Sequence, residues 1–75
     1  MKLFGYLTSA TGAPEPSDLS EVTLQASSEE LREIAGFLLQ AANSIDRMGK
    51  SYDHIHLSDA LPQFENSPAF VIARG

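Results

Sequence analysis

The chain reads as a small α+β domain in the order ββαββ, with one long helix packed on one face of a mostly antiparallel sheet. Three observations lead there. Residues 27–48 repeat apolar side chains at steps of three and four, residues 21–26 alternate strictly between apolar and polar, and residues 69–73 form an unbroken apolar run. At 75 residues the chain holds a single domain, residues 1–75. A domain of this size buries only about 60% of the surface its unfolded form exposes.

The opening Leu3-Phe4-Gly5-Tyr6-Leu7 alternates two sets of residues with the period of a strand, both sets apolar enough to be covered. Residues 9–18 collect small residues, Pro14, Pro16 and Gly12, a composition that cannot continue a ladder and reads as a mobile loop. Over residues 21–26, Val22, Leu24 and Ala26 share one face while Glu21, Thr23 and Gln25 share the other, the mark of a half-buried strand paired with the first.

Ser27 then stands as a helix N-cap. Glu30, three residues on, completes a capping box in which each side chain satisfies the other residue's free backbone N–H. Leu31, Ile34, Ala35, Leu38, Ala42 and Ile45 form the stripe expected to face the sheet, widened by Ala41 and Met48. Gly49 suits the residue after the helix end, and Glu29, Glu30, Glu33, Arg47 and Lys50 all complement the helix dipole. Phe37 and Leu39 fall about 120° and about 80° from the stripe centre, on opposite flanks. A loop, before residue 21 or after residue 58, is expected to fold over one of them. The sharper alternative puts Phe37 on a dimer or partner surface.

Beyond the helix, residues 54–57 alternate again, with Ile55 and Leu57 inward and His54 and His56 outward on one face. Residues 58–68 are polar and carry the breakers Pro62, Asn66 and Pro68. The run at 69–73 is expected to be a buried central strand.

Composition excludes several classes. No cysteine is present, so disulfides and thiolate metal sites are ruled out. A formal charge of −5 disfavours nucleic acid and anionic membranes and favours solubility or a basic partner. The first apolar run spans five residues interrupted by Gly5, against roughly 7 to 15 in a signal-peptide core. Nowhere do about 18 apolar residues run together to span a membrane, so a cytoplasmic protein is the expectation.

The constellation most like chemistry is Asp53, His54, His56 and Asp59. Two imidazoles two residues apart on a strand stand about 7 Å apart at Cα, a spacing zinc and iron sites use, with a carboxylate near by as a third ligand. The plainer reading is two polar residues on the solvent face of an edge strand, and it is preferred because no third ligand is assured. No nucleophile elbow or phosphate-cradling glycine loop occurs, so no catalytic residue, enzyme activity, cofactor or metal is expected. Residues 15–33 carry six carboxylates opposed only by Arg32, a solvated face or a steering surface for a basic partner.

The stretch of residues 22–38, Val-Thr-Leu-Gln-Ala-Ser-Ser-Glu-Glu-Leu-Arg-Glu-Ile-Ala-Gly-Phe-Leu, followed by His54-Ile55-His56-Leu57-Ser58-Asp59 and Phe70-Val71-Ile72-Ala73, resembles the immunity protein 32 type of bacterial polymorphic-toxin immunity proteins. The resemblance covers roughly residues 20 to 73, and its His-x-His-Leu-Ser-Asp part is the more distinctive. It implies a protein that binds and neutralises a cognate toxin without catalysis of its own. On that expectation Glu29, Glu33, Phe37, Tyr52, His54, His56 and Asp59 are the candidate partner-binding residues, with Phe37 or Tyr52 as aromatic anchors against a basic toxin domain. Two rivals stand beside it: a small metal-binding protein or enzyme using His54 and His56, and a homodimer whose edge strands pair across a two-fold axis.

Overall fold

The computed structural model describes residues 1–7 and 18–75. Its elements follow the order β1 (Lys2–Leu7), β2 (Leu19–Gln25), α1 (Ser28–Met48), a 3₁₀ turn (Gly49–Ser51), β3 (His54–His56), α2 (Leu57–Ala60), a second 3₁₀ turn (Pro62–Phe64) and β4 (Val71–Ala73). The expected α+β class and ββαββ order are present. The loop expected over residues 9–18 falls outside the described residues except for Asp18.

Strands β1 and β2 pair antiparallel, with Leu3 opposite Leu24, Gly5 opposite Val22 and an irregularity between Tyr6 and Leu7. Strands β3 and β4 form a separate antiparallel pair, with Ile55 opposite Ile72. The ladders stay apart, so the described residues form two two-stranded sheets where one sheet was expected. The physical reason lies in the second pair: β3 and β4 have three residues each, and Leu57 leaves the ladder to start α2. The run at 69–73 is correspondingly no buried central strand, since Val71 is 43% exposed and β4 has a single neighbour.

Helix α1 begins as its sequence dictates. The Glu30 backbone N–H donates to Ser27 Oγ at 3.1 Å, and the Ser27 N–H donates to Glu30 Oε1 at 3.0 Å. It ends at Gly49, whose φ of +54° is a conformation that a residue with a Cβ rarely adopts. Its buried face is rotated from the expected stripe: Ile34, Phe37 and Ala41 are buried, whereas Leu31, Ala35, Leu38 and Ala42 are exposed. Leu57 from α2 and Phe64 from the second 3₁₀ turn join Ile34 and Phe37 in the core, with Met1, Leu24, Ile55, Leu61, Phe70 and Ile72 packed around them. The segment after residue 58 thus covers Phe37, the loop reading of the two offered for it. An aromatic ring carries a large apolar area, so the face holding Phe37 is the one that gains most from burial.

Candidate functional site

Of the residues expected to bind a partner, Glu29 and Glu33 stand at the start of α1, His54, His56 and Asp59 at the β3–α2 corner, and Phe37 and Tyr52 in the middle of α1 and after its exit. Glu29 lies exposed in the first turn of α1. Glu33, one turn further, is half-buried and accepts a hydrogen bond from Gln63 Nε2 at 2.9 Å, which ties the second 3₁₀ turn to the helix. Glu30, between them, is committed to structure. It caps Ser27, and its Oε2 lies 3.0 Å from the Met1 ammonium. Its carboxyl is held below the ordinary 4.5, first by the Ser27 backbone N–H and then by that ammonium group.

Two expected anchors are corrected by their burial. Phe37 is 3% exposed and belongs to the core, and Tyr52 is 8% exposed with its hydroxyl donating to the Ile72 carbonyl at 2.8 Å. Tyr52 therefore fastens the exit of α1 to β4, because a buried phenol needs a partner and the strand carbonyl supplies one. Neither ring is offered at the surface.

The histidines stay where their alternation puts them. On β3, His54 is exposed and His56 half-buried, and their rings meet edge to face with centroids 5.1 Å apart. His54 Nδ1 lies 2.8 Å from Asp53 Oδ2, a contact that becomes an ion pair when the ring is protonated. Asp59 is exposed in the first turn of α2. Among the described residues no three His, Asp or Glu side chains gather closely enough to hold a metal ion. The corner is a mixed polar surface of two imidazoles and two carboxylates, able to donate and accept hydrogen bonds towards a protein.

Sequence reasoning missed the exposed apolar surface of α1. Leu31, Leu38 and Leu39 are 45%, 41% and 69% exposed. The signal was present in the pattern, since Leu39 lies off any single stripe and α1 has more apolar circumference than one thin core can cover.

Against known proteins, a family model described as Immunity protein 32 matches residues 21–75. No curated protein and no solved structure matches.

Proposed function

Because the chain belongs to the immunity protein 32 family, we propose that it protects the producing bacterial cell by binding a cognate toxin in the cytoplasm through its acidic surface. The family points to a toxin-neutralising role carried out by binding, with a toxin as the protein partner. The finer reading places the contact on Glu29 and Glu33 at the start of α1 and on His54, His56 and Asp59 at the β3–α2 corner, against a basic toxin surface.

The observation that carries the proposal is the family match across residues 21–75, which spans both groups of residues. The charge of −5 supports the sign of the partner, since complementary fields speed encounter and penalise wrong partners. Neutralisation then requires only that the bound domain cover or distort the toxin's working surface. None of the chain's own side chains has to move a proton or bond.

Co-expression tests this. A candidate toxin from the same bacterium, induced in cells without the chain, should stop growth, and induction with the chain should restore it while the two proteins co-purify. Growth arrest unaffected by the chain, with no complex recovered, overturns the proposal.

A further inference from the structure

The exposed face of α1 has the pattern of a helix seam with nothing seated on it. Leu31, Ala35, Leu38, Ala42 and Ile45 follow one another at steps of four, three, four and three, the heptad spacing that keeps one line of side chains facing a partner helix. The first four are exposed and Ile45 is half-buried. Leu39 stands beside this line at 69% exposure. The molecule is also open for its length, with principal extents of 37 × 32 × 18 Å and a radius of gyration of 13.8 Å, against about 11 Å for a compact chain of this size.

We propose that this face is the interface between two copies of the chain, paired as antiparallel helices across a two-fold axis beside Leu39. Charge decides for a second copy. Two chains of −5 each repel, so self-association needs a surface without net negative charge, and residues 34–45 contain no charged side chain. In sequence the stretch is bounded by Glu33 and Asp46. Glu33 is half-buried and engaged by Gln63, so the charges flanking the seam beside Leu39 are Arg32 and Asp46, both exposed and each seven residues from Leu39. An antiparallel pairing centred at Leu39 therefore sets Arg32 of each copy beside the partner's Asp46, twice by symmetry. A parallel pairing in register would set Arg32 against Arg32 and Asp46 against Asp46.

The sizes agree with the charges. In the register that pairs those ions, Leu38 falls between the partner's Leu38 and the partner's Ala42, and Ala35 falls between the partner's Ala42 and the partner's Ile45. Each seam side chain enters a gap of the facing helix, and the alanines let the two backbones approach closely. A C2 contact requires this self-complementarity. The inference is independent of toxin neutralisation, and it uses a different surface from the carboxylates and histidines assigned to the toxin.

Sedimentation equilibrium of the tag-free full chain, from a few to several hundred micromolar, tests it. The expected result is a concentration-dependent shift from the 8.1 kDa monomer to twice that mass. Leu38→Glu should remain monomeric throughout with an unchanged circular dichroism spectrum, as its side chain lies outside the core. Arg32→Asp and Asp46→Arg should each raise the dimer Kd by about tenfold at low salt, and the double exchange should recover most of that loss. A wild type that stays monomeric, a dimer insensitive to Leu38→Glu, or a double exchange no better than the single ones would overturn the proposal. So would a monomeric wild type whose toxin binding is abolished by Leu38→Glu, since the face would then belong to the toxin.

Discussion

Single residues set the limits of α1 more sharply than its propensity does. Ser27 and Glu30 satisfy each other's backbone donors, so Ser27→Ala removes an acceptor that nothing near by replaces. The expected cost is about 1 kcal/mol, read as a fall in Tm of about 4 to 8 °C. Glu30 adds a pH dependence whose sign follows from its lowered pKa. A carboxylate held below its unfolded value contributes fully above the ordinary 4.5 and loses that contribution as pH falls through the folded value. Thermal melts of the wild type should therefore decline below that range, and Glu30→Gln should show a lower Tm at neutral pH with a shallower acid decline. The histidine pair illustrates the opposite case, in which two adjacent rings and one carboxylate are exposed enough to serve as surface groups without shaping the fold.

At the scale of elements, α1 is covered by segments that carry little regular structure. Leu57 and Phe64 come from one turn of helix and one 3₁₀ turn, yet they are 1% and 3% exposed and close the core over Ile34 and Phe37. Backbone bonds hold this cover in place: Leu57 N–H donates to the Phe70 carbonyl at 2.8 Å and Phe64 N–H to the Leu61 carbonyl at 3.0 Å. Phe64→Ala should cost about 3 to 5 kcal/mol, since a large ring leaves a cavity that a thin core cannot refill. Gly36 predicts the reverse effect. It sits inside α1 with open space for 4 Å around the point where an alanine methyl would stand, so Gly36→Ala should stabilise by about 0.5 to 1 kcal/mol through backbone entropy alone. Denaturant midpoints for the two variants should move in opposite directions, with the larger displacement for Phe64→Ala.

For the whole molecule, the two proposals place the toxin and a second copy of the chain on surfaces that differ in charge. The acidic excess acts at a distance and the uncharged α1 face acts only on contact. Association with the cognate toxin should therefore slow as ionic strength rises from about 0.01 to about 0.15 M, over which the screening length shrinks from about 30 to about 8 Å. Glu29→Lys with Glu33→Lys should lower the low-salt association rate by about tenfold and flatten its salt dependence. Stopped-flow mixing measures both, and a rate indifferent to salt would remove the acidic surface from the interface. Among the described residues no helix is long and apolar enough to cross a membrane.

What was legible along the chain is what depends on near neighbours. The capping box, the glycine at the helix end and the one-sided histidines all rest on contacts within a few residues, and each is present as read. The alternation over residues 21–26 marks a strand paired with the first but not the half-buried face read from it, since Val22 is 63% exposed and only Leu24 within β2 is partly covered. The long helix and the ββαββ order follow from those local signals, as does the family resemblance. Which face of α1 is buried was settled by tertiary packing. The apolar residues of α1 spread over more than one stripe, and the choice was made by distant side chains, Leu57 and Phe64, meeting Phe37. Packing also turned Tyr52 inward to a carbonyl of β4 and kept the strands in two pairs, because hydrogen bonds between distant segments leave no mark in local periodicity. A thin core covers one face of a helix and leaves the next apolar face outside, and here that face is the one available to a second chain.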